Sequence, residues 1–210
     1  MNKKFLNFLK KIEKERGLME QWRVWCKKRK SLKDRERIII EAILTQRTNW
    51  KNVEKATKNL EKGKIYLREI KKIGDKNTKK LYPFIKPCGF YKKKAKYLYN
   101  LSKFFSKYNF DIKRIMKEDV ENLRRELLRI KGVGKETADS ILLYALDKPV
   151  FVVDEYTRRI IKDFSKKYKI NVSLSYEKLR KFFEEMFGRD FRIYQKVHAM
   201  IVVYGKNLKH

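Results

Sequence analysis

Two apolar helical patterns separated by little more than Lys131-Gly132-Val133-Gly134 constrain this chain more than any other stretch. The first, over 120–129, carries Leu123, Leu127 and Leu128. The second, over 137–146, carries Ala138, Ile141, Leu142 and Ala145. Apolar residues at this spacing line one face of a helix, so the segment reads as helix, tight hairpin, helix. Gly132 and Gly134 permit positive φ and the close approach of another backbone. The second helix then opens with amide N–H groups that have no partner inside it, where a phosphate fits. An apolar run, Pro149-Val150-Phe151-Val152-Val153, comes after it and ends at Asp154. With no partner strand evident, it reads as a buried extended connector. Asp154 reads both as a helix N-cap and as a carboxylate at the rim of a dry site.

Charge narrows the partner. The chain of 210 residues has 56 Lys+Arg against 25 Asp+Glu, a formal net charge of +31. Such an excess points to a polyanion, DNA or RNA first, although part of it is plain solvated surface. No apolar run approaches the ~20 residues of a membrane-spanning helix, so no membrane partner is expected. Residues 1–14 are Lys-rich with Phe5, Leu6, Phe8, Leu9 and Ile12 at helical spacing. They lack the features of a signal peptide and read as an amphipathic first helix. A cytoplasmic, nucleoid-associated monomer is the expectation.

Scarcity of metal ligands removes several chemistries. Cys26 and Cys88 are the only cysteines, and His198 and His210 the only histidines. A four-cysteine zinc or iron–sulfur site cannot be built from them. A His-rich metal site or a Ser-His-Asp triad is hard to assemble. His198, among Val197, Ile201 and Val202, reads as a residue of the core or its edge.

The remaining patterns are helical too, and with few Gly and Pro the fold class is all-α. They run over 37–45 with Ile38, Ile39, Ala42 and Ile43, and from Asn49 or Trp50 with Val53, Ala56 and Leu60. Others run over 92–106, 155–164, 176–187 and 192–204. Asp111 is placed to cap a short helix and Gly188 to end a longer one.

The segment from Leu127 through Ile130-Lys131-Gly132-Val133-Gly134-Lys135-Glu136-Thr137-Ala138-Asp139-Ser140, followed by Val152-Val153-Asp154-Glu155-Tyr156, resembles the helix-hairpin-helix DNA glycosylase superfamily. Ala42-Ile43-Leu44-Thr45-Gln46-Arg47-Thr48-Asn49-Trp50-Lys51-Asn52-Val53 and Cys88-Gly89-Phe90-Tyr91-Lys92-Lys93-Lys94-Ala95 are similar to its endonuclease-III-like branch. The resemblance runs in order over about 36–165. It implies a bilobal fold with the active site in the cleft between two helical lobes. The central lobe would span 37–151, with the hairpin at about 122–146, and the second would combine 1–36 with 152–210.

The resemblance also implies roles. Asp154 becomes the essential carboxylate. Gln46 fills the gap left by an extruded nucleotide, and Phe90 or Tyr91 wedges it. Trp22, Trp25 and Trp50 form the base pocket, with Glu136 near them. Lys131, Gly132, Val133, Gly134, Lys135 and Thr137 hold the DNA. The carbonyls of Leu128, Ile130 and Val133 map onto a site for an alkali cation, Na+ or K+, which is not catalytic. No other cofactor is implied, and the partner is double-stranded DNA containing damaged bases.

Two departures sharpen the expectation. Where strand-cleaving members carry a Schiff-base lysine, this chain has Glu136. Lys131 and Lys135 do not inherit that role by proximity, because one residue turns a helical side chain by about 100°. The iron–sulfur ligands of endonuclease III are also missing. Both departures resemble the monofunctional 3-methyladenine DNA glycosylases. The expected function is therefore a DNA N-glycosylase of base-excision repair that flips out and hydrolytically releases an alkylated purine such as 3-methyladenine. The alternatives are a bifunctional glycosylase/AP lyase using Lys131 or Lys135, an adenine-mismatch glycosylase using Glu41 as an acid, and a non-catalytic DNA-binding module. Otherwise Glu41 is a partly solvated helix carboxylate.

Overall fold

Ser31 starts a long helix because its hydroxyl accepts the Asp34 N–H at 3.1 Å while the Asp34 carboxylate accepts the Ser31 N–H at 2.8 Å. Such a reciprocal cap satisfies two helix-end donors at once. Asn49, Asp111 and Asp119 cap later helices with single bonds of the same kind. The computed structural model describes residues 5, 7, 20–168 and 175–207. The first helix expected over 1–14 and His210 lie outside these, except that Phe5 is described and buried.

The chain divides into two compact units, Arg29–Leu146 and the pair of terminal stretches Met1–Lys28 with Asp147–His210. Compared with the expected 37–151, the central unit starts earlier because Leu32 already belongs to its first helix. It stops earlier because Asp147 turns left-handed, at φ 51°. The terminal unit holds α1 (Glu20–Trp25) and three later helices. The central unit runs through α2 (Leu32–Leu44), α3 (Trp50–Lys62), α4 (Leu67–Asn77) and a 3-10 turn (Thr78–Leu81). Next come α5 (Tyr82–Ile85), a second 3-10 turn (Lys86–Cys88), α6 (Tyr91–Ser106) and α7 (Ile112–Ile115). It closes with α8 (Val120–Leu128), α9 (Lys135–Ser140) and a π-helical turn (Ile141–Ala145). The terminal unit resumes with α10 (Glu155–Tyr168), α11 (Tyr176–Phe187) and α12 (Phe191–Asn207). No strand occurs among the described residues, so the protein is all-α.

In the central unit Ile38, Ile39, Ile43, Val53, Leu98, Leu101, Phe105, Leu123, Leu127 and Ile141 are buried. Each such side chain contributes about 1.5–3 kcal/mol against exposure. The helix expected over 137–146 is interrupted. Its second half widens into the π turn, in which the Leu146 N–H reaches back to the Ile141 carbonyl at 3.1 Å. Arg35 Nη1 donates to the Ala145 carbonyl at 2.6 Å and so satisfies one acceptor at this end.

In the terminal unit the connector of Val150, Phe151, Val152 and Val153 has no regular secondary structure and is buried. Phe151 stacks on Phe183 with ring centroids 4.1 Å apart, and Phe5 meets Phe164 edge-on at 5.0 Å. The connector thus delivers Asp154 from an aromatic core to the first turn of α10.

Candidate active site and nucleic-acid interface

Asp154 uses its two carboxylate oxygens differently. Oδ1 accepts the Thr157 N–H at 2.7 Å and the Thr157 hydroxyl at 2.9 Å, which is the N-cap of α10. Oδ2 faces His198 Nε2 at 3.6 Å. That distance is an electrostatic contact rather than a hydrogen bond. The Asp154 side chain is only 12% exposed. Burial pushes the carboxyl up, but the neighbouring His198 and the two bonds from Thr157 outweigh it. The group is held below its ordinary value of 3.8 and is ionised at neutral pH. The cap therefore orients the carboxylate and leaves Oδ2 outside the cap.

His198 is more than a core residue. It is 4% exposed on α12, edge-on to Trp22 at 5.9 Å and to Phe151 at 6.2 Å. Lys206, on the same helix, also feels Asp154. Burial pushes its amine down, against the pull of that carboxylate, and the net direction is down. Neither residue stands out in the sequence. Only the folding of α12 against α10 brings them to a carboxylate far away in the chain.

The expected pocket aromatics divide between the units. Trp22 and Trp25 lie in the terminal unit, buried and edge-on to each other at 6.0 Å. Trp22 touches the neighbour of Asp154, and both are also core packing. Trp50 and Glu136 belong to the central unit, Trp50 half-buried at the start of α3 and Glu136 exposed in the first turn of α9.

The central unit carries a groove of about 760 Å³. Gln46, Arg47, Phe90, Lys93 and Tyr97 line it together with 132–137 of the hairpin. The hairpin is clamped from several sides. Arg124 on α8 grips Asp139 on α9 through bonds of 2.6 and 3.1 Å, both residues being buried. Gln46 Nε2 donates to the Gly132 carbonyl at 2.9 Å and to Thr137 Oγ1 at 3.1 Å. Asn100 Nδ2 donates to the Lys131 carbonyl at 3.1 Å. Gly132 turns at φ 104°, and a Cβ there would strike the Tyr97 ring at 2.2 Å. Gly134 differs from its expectation. Its φ is −89°, so it needs no positive φ, and a Cβ there would meet nothing within 4 Å. Its backbone is open to approach, with Lys131 and Lys135 exposed beside it.

Glu41 departs from the expectation of a partly solvated carboxylate. It is 0% exposed, and its Oε1 accepts Arg37 Nε–H at 2.8 Å and the Thr57 hydroxyl at 3.2 Å. A carboxylate buried and paired in this way is not partly solvated, and it does not line the groove.

Phe90 and Tyr91, the two wedge candidates, are told apart by exposure. Tyr91 packs edge-on to Tyr82 at 5.2 Å. Phe90 is 57% exposed and left-handed at φ 47°, a costly conformation for a residue with a side chain. The hairpin carbonyls form a set of neutral oxygens, of which that of Ile130 accepts the Val133 N–H at 2.9 Å. With Leu128 and Val133 this donor set suits a hard cation. Among the described residues no group of three or more His, Cys, Asp and Glu is arranged to hold a metal ion.

Comparison with known proteins agrees with this geometry. The family model for the HhH-GPD superfamily base excision DNA repair protein matches residues 40–187. The chain is similar to "Putative DNA repair glycosylase MJ1434" of Methanocaldococcus jannaschii, 46% identical over 174 residues, 82% of this chain and 77% of that protein. It is similar to Endonuclease III of Thermotoga maritima, 33% identical over 128 residues, 59% of this chain and 54% of that one. Among solved structures it is similar to the 3-methyladenine DNA glycosylase MagIII of H. pylori bound to 1,N6-ethenoadenine. That likeness has a TM-score of 0.75 and 28% identity, and covers 100% of this chain and 99% of that one. The chain belongs to the HhH-GPD superfamily of base excision DNA repair proteins, and DNA glycosylase of base-excision repair is the activity of its kind.

Proposed function

We propose that the protein is a monofunctional glycosylase, acting as a monomer on chromosomal DNA, that releases alkylated purines such as 3-methyladenine. The observation that carries this reading is Asp154. It is kept ionised, oriented through one oxygen and set beside His198, while the family's lysine position is Glu136. Breaking a glycosidic bond builds positive charge on the sugar. A carboxylate about 4 Å away contributes roughly 4 kcal/mol at an effective dielectric near 20. That is about three orders of magnitude in rate. The same oxygen would orient and deprotonate the attacking water.

The burial of Glu41 supports this substrate class. A normal base leaves as an anion unless an acid protonates it, and Glu41 is locked in its pair with Arg37. A base that is already cationic needs no acid. It also gains about 0.5–2 kcal/mol from each aromatic face it meets, which Trp22 and Trp25 would supply. The likeness to MagIII supports the same class. In the hairpin, the carbonyls of Leu128, Ile130 and Val133 would hold an alkali cation that bridges protein and phosphate without entering the reaction.

One observation favours a lyase as the second reading. Lys206, on the same helix as His198, is exposed and lies within the field of Asp154, with partial desolvation pushing its amine down. Its neutral form would attack the sugar C1′ as the base leaves with the bonding electrons. Base release from duplexes containing 3-methyladenine, 7-methylguanine, hypoxanthine, uracil, thymine glycol, 8-oxoguanine or adenine opposite 8-oxoguanine tests the substrate. Selective release of the alkylated purines is expected; release confined to the oxidised or mismatched bases would contradict it. Borohydride trapping on abasic DNA tests the lyase. No adduct is expected, and a strong adduct lost in Lys206→Ala would establish the second reading.

A further inference from the structure

Lys94 is a cation with 1% of its surface exposed, in the first turns of α6 beneath the groove. Its Nζ donates to the carbonyl of Leu44 and to the carbonyl of Cys88, each at 2.8 Å. A buried ammonium is costly unless its hydrogen bonds are made. Both acceptors stand at the ends of helical segments, α2 and the Lys86–Cys88 turn. There the last carbonyls lack partners and the dipole favours a positive charge. Cys88 itself is inert: burial pushes its thiol up to about 11, and its Sγ–H donates to the Asn52 carbonyl.

The chain segments after the two acceptors give the arrangement a purpose. Beyond Leu44 the chain runs through Gln46 to Arg47, left-handed at φ 51°. Beyond Cys88 it runs through Gly89 at φ 62° to Phe90 at φ 47°. One ammonium therefore joins the roots of two strained segments that both line the groove. The Gln46 amide carries the tie on to the hairpin through Gly132 and Thr137.

We propose that Lys94 is a positioning residue: it holds the Leu44 and Cys88 carbonyls together so that Phe90 enters the duplex from a segment tied through Gln46 to the hairpin. This rests on the reading of Phe90 as the wedge. Methionine would fill the space of Lys94 but leave two buried carbonyls unsatisfied. Arginine keeps the charge, but its planar fork does not converge on one point as an ammonium does.

The test uses the full chain and a duplex with 2-aminopurine opposite a tetrahydrofuran abasic analogue, so no base release is needed. Stopped-flow fluorescence reads insertion of the wedge. Circular dichroism and thermal melting first establish that each variant folds. Lys94→Met and Phe90→Ala are each expected to slow the fluorescence change about tenfold, with Lys94→Arg between them and wild type. The double variant is expected to be no slower than the slower single, because coupled residues are not additive. A general packing defect would instead multiply with Phe90→Ala, to about a hundredfold. That product, or a Lys94→Met protein at the wild-type rate, overturns the proposal. A Phe90→Ala protein at the wild-type rate overturns the wedge reading beneath it. Should Lys94→Met not fold, Lys94→Arg carries the same comparison.

Discussion

In the central unit the cations Arg47, Lys93, Lys131 and Lys135 stand exposed around a groove, while in the terminal unit Asp154 is nearly buried with His198 and Lys206 near it. The proposed function gives charge opposite purposes in the two regions. Exposed lysines interact weakly and over a range set by salt, which suits a grip on any phosphate backbone. A desolvated carboxylate acts strongly and locally, which suits one bond in one substrate. The groove's shape comes from buried ties, Arg124 to Asp139 and Gln46 to the hairpin, and the carboxylate's orientation from a helix cap. Binding and chemistry can therefore be damaged separately.

The largest expected effect on rate is at the carboxylate. Asp154→Asn keeps the shape and removes the charge, and single-turnover base release is expected to fall about a thousandfold. The largest expected effect on stability is in the other unit. Asp139→Ala removes a buried carboxylate from Arg124, at a cost of about 3–5 kcal/mol, read as a lowered denaturant midpoint. Unlike Asp154→Asn, it should weaken DNA binding too, because the hairpin loses its clamp.

His198→Gln is expected to lower the rate roughly tenfold, about 1.4 kcal/mol, with duplex affinity unchanged. The sign of its pH effect is set by burial, which raises the Asp154 carboxyl once the imidazole no longer opposes it. In the wild type the carboxylate is lost only below its ordinary 3.8. In the variant the decline on acidification should begin at higher pH, with Lys206 still acting on the carboxylate. A pH–rate profile with the same acid limb in both proteins would show that His198 plays no part in holding the charge. The smallest effect is expected from Lys131→Gln with Lys135→Gln. The slope of log affinity against log salt should shrink by about two, with base release at saturating enzyme unchanged.

The two regions are legible in the sequence to different degrees. The hairpin is local: Gly132, its flanking Ile130 and Val133 and the stripes of α8 and α9 adjoin in the chain. Asp154 is legible for the same reason, since Val150–Val153 and Thr157 that frame it are its neighbours. Its partner His198 is not, because nothing in an apolar helix marks one polar residue as facing a distant carboxylate. The same holds for the carbonyls that Lys94 finds and for the burial of Glu41 by Arg37 and Thr57. Backbone geometry is intermediate. Glycine at 134 permits a positive φ without requiring it, and the π turn at Ile141–Ala145 looks in sequence like continued α-helix. Helix α4 carries only Leu67 and Ile70 to the core, too short a stripe to announce itself.

The division of labour is tested most directly by measuring duplex binding and single-turnover base release side by side, on one alkylated-purine substrate, for Asp154→Asn and for the Lys131→Gln, Lys135→Gln pair. The Asp154→Asn protein is expected to bind as wild type and release almost nothing, and the lysine pair to bind more weakly yet release normally once saturated. Base release at the wild-type rate by Asp154→Asn would contradict the role given to the carboxylate.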